Sequence, residues 1–173
     1  MKNDEYNTYL RKTQVVPKNC SDIRFRGKLD TLYAFILNAC VMADELGIYD
    51  ASADLQSMGQ CCLNILGAHV RDAPIEQICM LGLSEDALRK VSHNPQEYGI
   101  AHFLPCVTDG ALIAAVNLVR VHARETECDA VEYFADKQPS YVRALNRISS
   151  AAYIIMCRIK GDFYAKKGVK QEE

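Results

Sequence analysis

Three charged side chains interrupt an apolar helical pattern in the segment "AAVNLVRVHARETECDAV". Arg120, Arg124 and Glu127 are spaced by four and three residues, which places them on one stripe of a helix. Two guanidinium groups one turn apart suit a polyphosphate, because each can pair bidentately with phosphate oxygens. A carboxylate beside them could hold a magnesium ion bridging the phosphates. Taken alone, the spacing favours a simpler interpretation, a ladder of surface ion pairs.

Other polar residues stand next to apolar runs. Asp30 ends "IRFRGKLD" and is expected at a buried start of the first helix, where a carboxylate needs a partner. Asn146 lies at the start of the apolar stretch "RALNRISSAAYIIM". His102 lies in a segment rich in proline, beside Phe103. The sequence contains no glycine-rich phosphate loop of the Walker or dinucleotide type. It also lacks the paired Glu-x-x-His motifs of a di-iron bundle, so neither of these site classes is expected.

Apolar residues recurring at three and four predict the helices that would position these groups. The first helix runs from about residue 25 to Gly47, a C-cap glycine, and the second starts with Ser52 as N-cap. A short helix follows Ser84, and two long helices cover about 109–136 and 139–160. The buried face of the first helix is predicted to comprise Leu29, Leu32, Tyr33, Ile36, Leu37, Cys40 and Val41. That of the second is predicted to comprise Leu55, Met58, Cys62, Leu63 and Leu66.

These elements predict an all-α fold, a bundle of four long helices with a minor fifth. Strands are not expected, because no segment alternates apolar and polar residues over any length. The segment "IEQICMLG" is interpreted as one or two helical turns, and residues 94–108 as a loop. The predicted organisation is an extended N-terminal arm over residues 1–24, the bundle over 25–162, and a charged flexible tail over 163–173.

The composition of the chain limits the classes of binding partner that are expected. The chain has 173 residues, 49% of them hydrophobic and 24% charged, as in a globular domain. A net charge of −2 and a pI near 6.1 give no support for a nucleic-acid partner, and no apolar run is long enough to span a membrane. The polar N-terminus predicts no secretory signal. Most of the eight cysteines, among them Cys40, Cys79 and Cys157 in apolar stretches, are interpreted as structural thiols in a reducing cytoplasm.

Four ordered segments give a more specific indication. "FRGKLDTLYAFI", "LGLSEDALRKVSHNP", "FLPCVTDGALIAAVNLVRVHARETE" and "ALNRISSAAYIIM" resemble the ethanolamine-utilisation class of ATP:cobalamin adenosyltransferases. The resemblance runs from about Lys18 to about Arg158, and it extends more faintly to the propanediol-utilisation class. It implies a helical bundle of the cobalamin adenosyltransferase type. It also favours a site, rather than a surface ladder, for the charged stripe.

The resemblance implies a reaction in which cobalt(I) of a corrin attacks the 5′ carbon of ATP, giving adenosylcobalamin and triphosphate. By analogy with the related class, Arg120 would pair with Asp30 across a subunit boundary, and Arg124 would contact the triphosphate. Glu127 would lie near a magnesium ion and the nucleotide, and Asn146 would contact the nucleotide. Fixed cations would lower the barrier, because charge grows on the leaving polyphosphate.

The resemblance also assigns the corrin side to the segment "HFLP". Related enzymes place a bulky side chain of this segment beneath the cobalt, which excludes the lower axial ligand and eases reduction to cobalt(I). His102 occupies that position here, with Phe103 and Leu104 beside it. Two roles are open for His102: its ring fills the vacated space, or its nitrogen coordinates cobalt.

Thr8, Lys12 and Lys18 are candidate nucleotide contacts by location alone, where the propanediol class has its nucleotide loop. An alternative function is a non-catalytic cobalamin-binding or delivery protein with a degenerate ATP site. The resemblance further implies a homotrimer, with a dimer as the alternative. The expected partners are a reductase and a cobalamin-dependent ammonia-lyase, in the cytoplasm or a bacterial microcompartment.

Overall fold

The computed structural model describes residues 4–164, and five α-helices form most of it. The helices are α1 (Ser21–Glu45), α2 (Tyr49–Arg71), α3 (Glu85–Ser92), α4 (Gly110–Phe134) and α5 (Pro139–Lys160). The strands are β1 (Asn7–Arg11), β2 (Gln14–Pro17), β3 (Cys79–Met80) and β4 (Leu83–Ser84). Single 3-10 turns occupy Asp4–Tyr6, Pro95–Tyr98 and Val107–Asp109. The predicted all-α bundle is confirmed.

The four long helices pack in a closed order around one core. Helix α1 contacts α2 and α4, and α5 contacts α4 and α2, while the short α3 lies against α5. Fully buried aliphatic and aromatic side chains from all four fill the centre, among them Leu32, Leu55, Val119 and Ile148. Among residues 4–164, no helix is both long and apolar enough to cross a membrane.

The helix boundaries differ in detail from the predicted ones. Helix α2 begins at Tyr49, so Ser52 is a buried residue of its first turn and not an N-cap. The face predicted for α1 is too wide, because Leu37 and Val41 are 52% and 50% exposed. Leu63 of α2 is exposed as well. Periodicity identifies an apolar stripe, but it does not show which edge of the stripe the neighbouring helices cover.

Two short hairpins contradict the expectation that the chain has no strands. Strands β1 and β2 pair antiparallel within the predicted N-terminal arm, whose extended part ends before α1 begins. Strands β3 and β4 replace the helical turns predicted in "IEQICMLG". Leu81 and Gly82 connect them with φ of 59° and 71°, as in a two-residue turn with positive φ at both central positions. Strands of two to five residues are too short to show alternation.

A polar cluster around the buried His69 ties the first hairpin to the bundle. Nη1 of Arg11 lies 3.1 Å from the Asp72 carboxylate at the end of α2. His69, which is 1% exposed, lies with Nε2 2.9 Å from Asp22, and its Nδ1 accepts a hydrogen bond from Arg26 Nε at 3.2 Å. This arrangement fixes the neutral imidazole with its hydrogen on Nε2. The hairpin is therefore docked and does not extend away from the bundle.

A second buried ion pair lies near the C-terminal end of α5. Nη1 of Arg158 lies 2.6 Å from Asp54 on α2, and the Tyr164 hydroxyl donates to the same carboxylate at 2.7 Å. Burial lowers the pKa of Arg158, but the Tyr98 hydroxyl and the Asp54 carboxylate outweigh it and hold the pKa above its usual value. Tyr164 belongs to the segment predicted as a flexible tail, and here it packs on the bundle. The rest of that predicted tail, 165–173, lies outside the described residues.

Four of the eight cysteines are buried, and three others, Cys79, Cys106 and Cys128, are exposed, so the prediction of structural thiols holds for half of them. Burial raises the pKa of Cys61 and Cys62 to about 12, and that of Cys40 and Cys157 to about 11, so these thiols stay protonated at neutral pH. Cys79 was expected to be structural, but it lies exposed on β3. Deep burial is the reason that the four buried thiols behave as small apolar side chains.

Candidate active site

The charged stripe lies on the middle of α4. Arg120 is half-buried, and its Nε donates a hydrogen bond to Asn117 Oδ1 at 3.0 Å. Burial and the neighbouring Arg124 guanidinium lower the pKa of Arg120. Within residues 4–164, no ion pair links Arg120, Arg124 or Glu127 to one another, and no hydrogen bond engages the exposed Arg124. The three side chains therefore form no ladder of surface ion pairs among residues 4–164.

Glu127 is bound across the helix interface instead. Asn146 on α5 donates from Nδ2 to Glu127 Oε1 at 2.7 Å, and Arg147 Nη2 donates to Asn146 Oδ1. The Arg147 Nε atom is buried without a partner, and burial lowers the pKa of Arg147 although Glu85 opposes the shift. Arg147 was not among the predicted site residues. Its position next to Asn146 in "LNR" was the available signal.

A cavity of about 350 Å³ joins the stripe to the proline-rich loop. It is lined by His102, Phe103, Leu104, Pro105, Arg120, Tyr153 and Met156. Residues assigned from the resemblance to the corrin side thus share a cavity with the first arginine of the stripe, although almost 20 residues separate them along the chain. The lining combines apolar surface with a few polar groups, which is typical of a small-molecule site.

Tyr153 links the loop to α5, and sequence reasoning missed it. Its hydroxyl lies 3.0 Å from His102 Nδ1 and accepts the Phe103 amide hydrogen at 3.3 Å. The rings of His102 and Tyr153 are nearly parallel, with centroids 5.7 Å apart. Tyr153 stands seven residues after Asn146, so both project from the same face of α5. That spacing was the available signal, but the apolar run around Tyr153 indicated only core.

Asp30 differs from its prediction in one respect. It was expected at a buried start of the first helix, but it lies exposed in the third turn of α1, which begins at Ser21. No ion pair within residues 4–164 engages Asp30 or Arg120, so the folded single chain supplies neither with its expected partner. The expectation that Asp30 is buried was wrong, because the position of a residue in the sequence does not determine whether its side chain is buried.

The structure does not bring the three N-terminal candidates to the stripe. Thr8 pairs with Val16 in the first hairpin, Lys12 lies in its turn with φ of 38°, and Lys18 follows β2. In the described part of the chain, no hydrogen bond or ion pair connects any of them with α4 or α5. Their predicted role as nucleotide contacts stays a prediction.

The metal prediction rests on Glu127 alone. Among residues 4–164, no group of three or more His, Cys, Asp or Glu side chains is arranged to hold a metal ion. Magnesium is usually bound by one or two carboxylates together with substrate phosphates and water. A single half-buried carboxylate, with one oxygen held by Asn146, fits that mode of binding.

Comparison with known proteins identifies the family of the chain. The sequence model of the family described as "Cobalamin adenosyltransferase" matches residues 1–159. The corrinoid adenosyltransferase EutT of Salmonella typhimurium (strain LT2) is 30% identical over 158 residues, which are 86% of this chain and 57% of that protein. EutT of Escherichia coli (strain K12) is 31% identical over 156 residues, with the same coverage.

No solved structure significantly matches the chain. The chain spans 57% of the length of the curated relatives that it matches. The family model, in contrast, covers the helices and the loop that form the site, from α1 to nearly the end of α5. On this match, together with the assembled α4, α5 and loop residues, the chain belongs to the cobalamin adenosyltransferase family.

Proposed function

We propose that the protein is an ATP:corrinoid adenosyltransferase that transfers the 5′-deoxyadenosyl group of ATP to cobalt(I) of cobalamin. The observation that supports this most strongly is the cavity that Arg120 shares with His102, Phe103 and Leu104. It brings a cationic residue suited to a leaving polyphosphate next to the loop expected to face the corrin. The names of the two relatives, corrinoid adenosyltransferase, state the same activity for those proteins.

The proposed chemical step is a nucleophilic substitution at C5′. The electron pair of cobalt(I) forms the Co–C bond, the C5′–O bond breaks, and triphosphate leaves with the bonding pair. Arg124 is exposed and unengaged within the described chain, so it is available to a triphosphate oxygen. Arg120 adds a second positive charge one turn away. Preorganised cations at the leaving group stabilise the charge that develops there.

The nucleotide side is assigned to Glu127 and Asn146. The amide of Asn146 holds one oxygen of Glu127, which leaves the second oxygen free to face magnesium and the phosphates. The ion would neutralise phosphate charge when bound. Thr8, Lys12 and Lys18 are proposed as further nucleotide contacts, from a neighbouring subunit or after movement of the hairpin.

The corrin side is assigned to the loop from His102 to Leu104. Leu104 is 84% exposed, which suits a side chain that meets a large apolar substrate. Phe103 is half-buried and packs on Tyr153, so its ring has a defined position beside the cavity. Together they would displace the lower axial ligand and keep water from the cobalt.

Anaerobic incubation with ATP, magnesium and chemically reduced cobalamin tests the proposal. The visible spectrum is expected to change from that of cobalt(I) to that of a light-sensitive alkyl-cobalt product. A protein that binds cobalamin but leaves this spectrum unchanged would instead be the non-catalytic carrier of the alternative function.

We further propose a homotrimer, with a dimer as the alternative, in which Asp30 pairs with Arg120 of a neighbouring copy. Both residues lack an ion pair within the described single chain. Leu37 and Val41 support this, because they lie seven and eleven residues after Asp30 and are exposed on the same side of α1. They border a groove of about 330 Å³ between α1 and α2.

The proposed reaction also defines its partners by class. Cobalt(I) is strongly reducing, so a reductase must supply it close to the site. Adenosylcobalamin must be consumed by a cobalamin-dependent enzyme, and an ammonia-lyase is proposed from the ethanolamine resemblance. The proposed location is the cytoplasm, in association with a bacterial microcompartment.

A further inference from the structure

The hydroxyl of Tyr153 is the point at which two consecutive loop residues attach to α5. It accepts the Phe103 amide hydrogen at 3.3 Å and lies 3.0 Å from Nδ1 of His102. Burial raises the pKa of Tyr153, so the hydroxyl keeps its hydrogen at neutral pH. One atom therefore fixes both the backbone at Phe103 and the side chain at His102.

A second contact holds the same loop from the end of α5. Lys160 Nζ lies 4.4 Å from the centroid of the Phe103 ring and forms an ion pair with Asp109. Asp109 in turn accepts the Cys106 amide hydrogen at 2.8 Å. The Phe103 side chain thus packs between Tyr153 and Lys160. Within residues 4–164, the only hydrogen bond from the Phe103 backbone to α5 is the one to the Tyr153 hydroxyl.

The Tyr153 hydroxyl allows two hydrogen-bond arrangements with His102, because its oxygen has two lone pairs and the Phe103 amide hydrogen occupies only one. In the first, the hydroxyl donates to Nδ1, the neutral imidazole carries its hydrogen on Nε2, and neither ring nitrogen presents a free lone pair to a metal. In the second, Nδ1 donates to the hydroxyl and Nε2 keeps a free lone pair.

We propose that Tyr153 is a positioning residue that holds Phe103 at the cavity and keeps His102 from coordinating cobalt. It acts through His102 and Phe103. Its effect on cobalt rests on the proposed function, whereas its role in positioning the loop is independent of that function. The proposal takes the arrangement in which the Tyr153 hydroxyl donates to Nδ1, so that the His102 ring fills space beside the cavity and does not coordinate cobalt.

Tyr153→Phe tests the positioning without any substrate. The substitution removes the hydroxyl and keeps the ring that stacks on His102. Tyr141→Phe is the matched control, because it also removes a hydroxyl of α5 that makes a hydrogen bond, at 2.9 Å to the Ala73 carbonyl, but away from the loop. Hydrogen exchange of the Phe103 amide, followed by NMR, is expected to rise by roughly five- to tenfold in Tyr153→Phe, the effect of losing one neutral hydrogen bond. It is expected to stay unchanged in Tyr141→Phe.

Electron paramagnetic resonance of cobalt(II) cobalamin bound with ATP tests the effect on His102. We expect no axial nitrogen splitting in the wild-type protein and a nitrogen splitting in Tyr153→Phe. The splitting should disappear again in the double variant Tyr153→Phe/His102→Ala, which would identify His102 as its source.

The outcomes separate the positioning role from the proposed function. Unchanged Phe103 exchange in Tyr153→Phe overturns the positioning role whatever the activity is. Increased exchange with the same cobalt spectrum in wild type and variant overturns the effect on His102. A wild-type protein that does not bind cobalamin overturns the proposed function, while the exchange experiment still decides the position of the loop.

Discussion

The polar residues of the site have different surroundings although their spacing is regular. Arg120 is half-buried and points into the cavity lining, Arg124 is exposed, and Glu127 is held by Asn146. Removal of each is therefore expected to have a different consequence. Loss of Glu127 or Asn146 would disturb a contact between two helices, whereas loss of Arg124 would remove a charge and very little packing.

Arg124→Ala is expected to reduce adenosyl transfer about a hundredfold, with the fold intact. One preorganised contact to a developing anion is worth on the order of 3 kcal/mol. Turnover at saturating ATP and circular dichroism measure the two effects. Arg71→Ala, which removes an exposed arginine at the end of α2, is the matched control and should keep full turnover. Near-wild-type turnover in Arg124→Ala would show that Arg124 does not face the triphosphate.

His69 should make stability depend on pH. Burial lowers its pKa from the usual 6.5, although Asp22 opposes the shift. As the pH falls, the unfolded chain therefore takes up this proton before the folded protein does. The His69 contribution to the free energy of unfolding is expected to be complete above pH 6.5 and to decline as the pH falls below it.

Urea unfolding between about pH 8 and about pH 5 measures this decline. In His69→Gln the pH dependence of the unfolding free energy should become shallower. His93→Gln, at an exposed histidine, should keep the wild-type dependence. Equal slopes in His69→Gln and wild type would contradict a neutral, buried His69.

At the level of elements, the end of α5 approaches the proline-rich loop closely at Gly161. A Cβ atom added to Gly161 would lie 2.3 Å from the Tyr98 carbonyl oxygen. Arg158 reinforces this junction, since its guanidinium lies beside the Tyr98 ring and donates to the Tyr98 hydroxyl. The base of the loop is thus fixed independently of the contacts that Tyr153 makes further along.

Gly161→Ala is expected to destabilise the protein by about 1–3 kcal/mol, because backbone must move to accommodate the methyl group. Gly27→Ala is the matched control. It lies in α1, and an added Cβ there meets nothing within 4 Å, so it should stabilise by roughly 0.5–1 kcal/mol. Thermal unfolding compares the two variants. A melting temperature of Gly161→Ala at or above that of the wild type would show that the backbone at Gly161 and Tyr98 moves apart without a loss of stability.

The sequence predicted the long helices well because their apolar residues recur over many turns. It did not predict the hairpins, whose short strands carry no lasting alternation, or the exposure of Leu37 and Val41. For the site, a resemblance predicted residues on α4 and in the loop, and the structure brings Arg120 and the loop residues to one cavity. The sequence could not identify Tyr153, because a tyrosine in an apolar run is indistinguishable from a core residue until its hydroxyl partner is located.

For the whole molecule, the central question is assembly. The exposed Asp30 carboxylate and the half-buried Arg120 guanidinium are complementary charges without an ion pair in the described chain. In the proposed assembly, Arg120 of a neighbouring copy would pair with Asp30. Since a charge buried at an interface needs its partner, exchanging the two charges gives a direct test.

Asp30→Arg is expected to weaken self-association at least roughly tenfold, because it places like charges together at the interface. The double variant Asp30→Arg/Arg120→Asp should restore assembly, although Arg120 lines the cavity and turnover need not return. Light scattering at micromolar concentration gives the mass of each. Asp129→Arg is the control, since Asp129 already pairs with Lys28 inside the chain. A monomeric wild type, or a double variant that does not associate, would contradict the proposed pairing.

The central claim is that C5′ of ATP is transferred to cobalt with triphosphate as the leaving group. The most direct measurement is the quantity of adenosylcobalamin and of inorganic triphosphate formed anaerobically from ATP and cobalt(I) cobalamin. Equal amounts of the two products are expected, and no triphosphate is expected when cobalamin is omitted. Formation of orthophosphate or pyrophosphate without adenosylcobalamin, or the absence of any alkyl-cobalt product, would contradict this claim.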